Sequence, residues 1–321
     1  MKFIWIDDSP DRREGSVNLA ASIRVEIEFI DVSSNDAEAK LAAMLSATEP
    51  DLIIIDHNLE DIESGIFKKG STVATYIREQ WFECPIISIS ANIDDVDTQQ
   101  RALYIDIFPM DNISNYYPNI LTIAQSFSFL KGHKPTNTDD LLDFLKPPTD
   151  DRINLAAILP TALKNNYADT SLLVEIAQWV KGTLLKRPGF LYDKLWVATL
   201  IGVKKESFDK VADLFTSAQY IGVFSNDNEP RWWKSEILTI LYRTVESPGY
   251  PWVKGRFLNN ISEEDFSICH ASGEFFPETV AYTDTTLDAR QVPIKIKFSD
   301  LHPEYESLLN FDEIRVMTPA E

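Results

Sequence analysis

Three carboxylates and one hydroxyl carry the clearest chemical signal in this 321-residue chain. Asp7 and Asp8 follow the apolar run FIWI at 3–6, Asp56 follows LIII at 52–55, and Ser90 closes PIISIS at 85–90. Each stands at the carboxyl end of a short apolar run, the edge at which open α/β sheets gather their ligands. Brought together, the three acids would repel one another unless a cation intervened. Magnesium suits such hard oxygen donors, and a phosphoryl group can complete its coordination. In that setting Asp56 is a candidate phosphoryl acceptor through an acyl phosphate, and Ser90 a donor to the transferred oxygens.

The elements that must position these groups are legible as alternating strands and helices. Strands are read at 3–6, at VEIEFI 25–30, at DLIIID 51–56, at PIISIS 85–90 and, more weakly, at YIDIF 104–108. Ile53, Ile54 and Ile55 run without polar alternation, as a central parallel strand covered on both faces requires. Helical spacing joins Ala37, Leu41 and Met44 or Leu45, then Val73, Ile77 and Trp81 after Gly70, then Ile120, Ile123, Phe127 and Leu130. The pattern predicts an α/β domain over 1–131: a (βα)5 parallel sheet with helices on both faces.

WIDD at 5–8, PDLIIIDHNL at 50–59 and PIISISA at 85–91 together resemble the response-regulator receiver (CheY-like) family. The resemblance implies that Asp7 and Asp8, with Asp56, bind Mg2+, that Asp56 accepts phosphate from a sensor kinase, and that Ser90 is the switch hydroxyl. It also implies a lysine before a proline after the fifth strand. Here Phe108 precedes Pro109, and phenylalanine supplies neither charge nor donors. The switch aromatic expected three residues earlier aligns with Ile105, with Tyr104 beside it. Lys68 and Lys69, in a long acidic stretch after Asp56, read as solvated surface.

Residues 132–151, rich in proline and polar residues around LLDFL, read as a linker, and 152–321 as a mainly helical α+β regulatory or output domain. Apolar faces recur at Leu173, Ile176, Ala177, Val180 and Leu184, and at Phe208, Val211, Leu214 and Phe215. A helix is expected to begin near Arg231, with Trp233, Ile237 and Leu241 on one face. Val292, Ile294, Ile296 and Phe298 alternate as a half-exposed strand, with 311–317 a candidate partner. Cys269 and His270 are adjacent, with Glu274 nearby, a sparse thiol-enzyme or metal pattern that packing explains more simply.

Thirty Lys plus Arg against fifty Asp plus Glu give a formal charge of −20, a field that repels phosphate backbones and anionic lipid. Neither nucleic acid nor membrane is expected as a partner. No apolar stretch approaches about eighteen residues, and the amino terminus turns acidic before a signal-peptide core forms. With two distant cysteines, the chain reads as a cytoplasmic protein. The reading favoured by the missing lysine is a signalling or regulatory adaptor, its divergent or pseudo-receiver domain acting through contacts with a kinase or another signalling protein. The alternatives are a phosphorelay regulator phosphorylated on Asp56, with an output domain that does not bind DNA, and a receiver-controlled hydrolase in the carboxyl-terminal half.

Overall fold

The computed structural model describes residues 1–33, 36–47, 49–59, 68–81, 83–93, 96–226 and 228–267, and the strands at 279–283 and 291–295. By internal contacts the chain forms two compact units. The first is Met1–Leu145 with Ile158–Thr183 and Gly222–Asn228; the second is Lys146–Ala157, Leu184–Ile221 and Glu229–Glu321.

Unit 1 is built on β1 (Lys2–Asp7), α1 (Arg13–Ile23), β2 (Glu26–Asp31), α2 (Ala37–Leu45), β3 (Leu52–Asp56), α3 (Gly70–Arg78), β4 (Ile86–Ser90), α4 (Thr98–Arg101), β5 (Ile107–Pro109) and α5 (Tyr117–Gly132). The strands form one parallel sheet in the order β2-β1-β3-β4-β5. This is a doubly wound α/β fold, as expected for 1–131, whose chain order reverses between β1 and β3, the point at which such sheets open a crevice at the carboxyl ends of the strands. β3 and β4 are buried along their whole length, whereas the edge strand β2 alternates between exposed and covered positions.

Side chains leave a strand alternately to its two faces. Ile4, Ile6, Ile53, Ile55 and Ile86 enter one core with Leu41 and Met44 of α2 and Val73, Ala74 and Ile77 of α3. Phe3, Trp5 and Ile54 are equally buried and point to the opposite face. β5 is shorter than the YIDIF run and starts later, because Tyr104 and Ile105 turn inward ahead of the regular strand.

The LLDFL patch forms a helix over Thr138–Leu145 that buries Leu141, Leu142 and Leu145. A further helix, Leu172–Trp179, buries Leu173, Ile176 and Ala177; Gln178 Nε2 donates to the Ala102 carbonyl. Lys181 Nζ lies 2.9 Å from Asp106 Oδ2, with both side chains largely covered.

Unit 2 centres on Val197, Ala198, Ile201, Phe208, Phe215, Trp232, Ile237 and Leu241. The expected helix start near Arg231 requires correction: Trp232 and Trp233 form a short strand antiparallel to Leu191–Tyr192, and the helix begins at Lys234. Two adjacent aromatics gain more by edge pairing, with both rings buried, than as an amphipathic helical turn. The strand Gln291–Lys295 pairs with Thr279–Thr283; 311–317 lies outside the described residues.

Candidate metal centre

The crevice between β1 and β3 holds the expected acids. Trp5 is in register with Ile54 and Ile6 with Ile55, so Asp7 and Asp56 continue the same rows and leave the sheet on the face of Trp5 and Ile54. Asp7, Asp8 and Asp56 each offer a carboxylate oxygen within 4.8 Å of the others, and all three residues are buried. Gly70 opens α3 directly against this strand end: its N–H donates to the His57 carbonyl at 2.9 Å, and a Cβ there would overlap the Asp56 carbonyl. Only glycine lets the helix start so close to the acid.

One oxygen of each key carboxylate is tied to nearby backbone. Asp7 Oδ1 accepts from Ser9 N at 2.9 Å, and Asp56 Oδ1 accepts from Asn58 N at 3.4 Å. The other oxygens turn to a residue the sequence reading missed. Arg12 Nη1 donates to Asp56 Oδ2 and lies 3.4 Å from Asp7 Oδ2, spanning the two acids with one nitrogen. Trp5, buried two residues before Asp7, donates from Nε1 to the same Asp7 Oδ2 at 3.2 Å. The available signal for Arg12 was its place in DDSPDRR, where a 3-10 turn over Pro10–Arg12 carries the chain back past the end of β1.

Burial pushes the Asp56 carboxyl up to about 7, and repulsion from Asp7 adds to it; Arg12 and the Asn58 N–H pull the other way. Burial likewise raises Asp7 above the ordinary carboxylate range, against the Ser9 N–H, Arg12 and Trp5. Burial also disfavours the Arg12 cation, but Asp7 and Asp56 outweigh it and raise its pKa. One guanidinium is thus shared between Asp7 and Asp56. Three close carboxylates of hard oxygen are the donor set that a small divalent cation such as Mg2+ accepts, so the residues fit that ion.

Ser90 is buried at the end of β4, one strand beyond β3. Its hydroxyl donates to the Asn92 carbonyl at 2.9 Å and accepts from Asn92 N at 3.2 Å. Phe108, at the family's lysine position, is buried in β5 with its ring 5.3 Å from that of Tyr116. Tyr104 is buried as well; burial raises its phenol, with the Asp56 charge a smaller influence in the same direction. Lys68 is exposed, while Lys69 donates from Nζ to Asn58 Oδ1 at 3.3 Å and pairs by backbone with Asn58. Cys269, His270 and Glu274 lie outside the described residues.

No family model and no curated protein matches the chain. Solved structures that it resembles include response regulator protein TrrA from Thermotoga maritima in complex with Mg2+-BeF. That chain is 20% identical, and the match covers 38% of this chain and 97% of that one, with a TM-score of 0.32. A second is the N-terminal domain of a response regulator/sensory box/GGDEF 3-domain protein from Carboxydothermus hydrogenoformans, at 18% identity over 41% of this chain and 100% of that one, TM-score 0.34. A third is a CheY-like receiver domain from Methylobacillus flagellatus, at 17% identity, 38% and 98% coverage and a TM-score of 0.32. Unit 1's α/β architecture is defined by its own strand order and by the acids at the carboxyl edge of its sheet. Among the described residues no helix is long and apolar enough to cross a membrane.

Proposed function

We propose that the chain is a signalling or regulatory protein of the two-component type, in which the receiver-like unit works through protein contacts and its acidic pocket takes a divalent cation, Mg2+ being the natural one. The observation that carries this reading is the pocket's mixed state. Asp7, Asp8 and Asp56 converge as a cation site requires, while the position of the phosphate-contacting lysine holds the buried, ring-packed Phe108. The acids would hold Mg2+, which supplies positive charge at the crevice. Trp5 orients Asp7, and Gly70 keeps α3 close behind Asp56. The partner is a sensor kinase or another signalling protein that reads the surface of the unit.

A second reading, phosphorylation of Asp56, is favoured by its position at the end of β3 with Ser90 at the end of the adjacent β4. Intact-mass measurement after incubation with Mg2+ and a small phosphodonor separates the two. The adaptor reading expects no added phosphate. A gain of one phosphoryl mass that Asp56→Asn abolishes would replace it with the phosphorelay reading. Copurification of a partner by wild-type protein and by Asp56→Asn alike supports the adaptor.

A further inference from the structure

Among the described residues, Arg12 is the side-chain cation placed on Asp7 and Asp56, on one oxygen of each of two acids that could hold a metal. Asp7 Oδ1 and Asp56 Oδ1 are engaged by the Ser9 and Asn58 amides, and Asp7 Oδ2 also accepts from Trp5 Nε1. Both Oδ2 atoms are on Arg12 Nη1. The guanidinium comes from a one-turn 3-10 segment at the rim, and about a third of its side chain is exposed (32%), whereas Asp7 and Asp56 are closed off (0% and 4%). The acids are fixed and the arginine has somewhere to go.

We propose that Arg12 is a built-in counter-ion that occupies the crevice in place of a divalent cation, so that cation entry and the Arg12 contacts with Asp7 and Asp56 exclude one another. The inference rests on the reading of the pocket as a cation site and adds a gate to it. It follows from charge and from geometry together. A dication arriving beside a guanidinium held between two carboxylates meets like charge at contact distance and finds its donor oxygens in use. Once Arg12 swings to solvent, its charge is hydrated, Asp56 Oδ2 is released, and Asp7 Oδ2 keeps only the Trp5 Nε1 bond. Charge-assisted hydrogen bonds must be broken for this, so the free pocket should bind the ion well above the affinity of the gated one. The gate also provides for the absent-ion state: with Arg12 in, Asp7 and Asp56 keep partial neutralisation.

The test is Mg2+ titration by calorimetry on the full chain, with thermal stability measured in chelator and in saturating Mg2+, for wild type, Arg12→Gln and Arg12→Lys. Arg12→Gln is expected to bind Mg2+ about tenfold tighter than wild type. It should melt below wild type in chelator and regain most of that loss in Mg2+, with a larger Mg2+-induced rise in Tm than wild type shows. Arg12→Lys, whose single ammonium holds two carboxylates less well, should show the same changes at smaller size, and it carries the test if Arg12→Gln does not fold. Binding that is equal or weaker in both variants, or a Tm loss that Mg2+ does not restore, overturns the gate and leaves the cation site standing. Absence of Mg2+ binding in every protein overturns the cation site itself, and the gate with it.

Discussion

Two buried aspartates, one in each unit, are held in opposite ways. Asp265 in unit 2 accepts four hydrogen bonds: Ser207 Oγ at 2.8 Å and Lys210 Nζ at 2.6 Å on Oδ1, Ser262 N at 3.0 Å and Ser262 Oγ at 2.9 Å on Oδ2. The Lys210 bond, followed by the Ser262 and Ser207 bonds, holds its carboxyl far below the usual range. Asp56 in unit 1 has one long backbone bond and a shared arginine, faces Asp7 and Asp8, and is pushed up to about 7. Both residues are 3% exposed, but burial is the largest influence on Asp56 and a minor one on Asp265, where the donors dominate. A carboxylate that clasps a loop is surrounded by donors; one set beside other acids with few donors is costly to ionise.

The largest expected effect is the loss of the satisfied acid. Asp265→Ala leaves Lys210, Ser207 and the Ser262 amide without their shared acceptor and removes the capping box of the turn at 263–265. Its drop in Tm should exceed that of Gly70→Ala, Gly255→Ala or Ser90→Ala. A depressed carboxyl contributes stability above its unfolded value and loses it only as pH falls through the folded one, so the penalty should persist undiminished from pH 8 down to about pH 5. Thermal melts across that range check it. A penalty comparable with that of a surface substitution would collapse the contrast between the two aspartates.

Asp56→Asn should have the opposite sign. An acid raised from 3.8 to about 7 contributes stability fully at low pH and loses it as pH rises through that interval, because the fold disfavours the ionised form. At pH 8 in chelator the substitution should therefore stabilise, by at most about 4 kcal/mol and by less once the Arg12 pairing is forfeited. The gain should vanish near pH 4. Denaturant midpoints at the two pH values measure it, and a destabilised Asp56→Asn at pH 8 would mean that Arg12 fully compensates the crevice.

The sheet that sets up this contrast was largely legible. Four of the apolar runs became strands close to where they were read, and the Ile53–Ile55 triplet became the buried middle of the sheet because unbroken β-branched residues suit that place. What sequence did not show was register. That Trp5 lies beside Ile54, and so brings Asp7 to Asp56, depends on long-range pairing, which local periodicity does not encode. Arg12 was missed for a related reason: a charged residue in a turn reads as solvated until the turn's path past the strand end is known. Trp232 and Trp233 misled because their pairing partner, Leu191–Tyr192, is some forty residues away in sequence.

A smaller effect tests the scaffold behind the acid. Gly70→Ala places a methyl group against the Asp56 carbonyl, and the start of α3 must shift to make room. Overpacking of this kind costs about 1–3 kcal/mol, and the displaced strand end should also weaken Mg2+ binding. The two readouts should move together. In unit 2, Gly255→Ala overlaps the Ile201 carbonyl in the same manner and should lower stability without touching Mg2+ affinity, which makes it the control for a purely structural loss.

The smallest effect concerns Ser90. Its hydroxyl is buried, but both of its bonds run to the backbone of Asn92, two residues on, so it closes a local turn at the end of β4. Ser90→Ala removes an acceptor for Asn92 N and a donor to Asn92 O, a loss of about 1 kcal/mol. Under the adaptor reading the affinity for Mg2+ and for the copurifying partner stays at the wild-type level, because the residue acts on its own loop. If Asp56 is phosphorylated and Ser90 answers to it, the substitution instead changes partner binding only after treatment with phosphodonor. Binding measured with and without that treatment separates a turn-closing serine from a switching one, even though the stability change is the same in both cases.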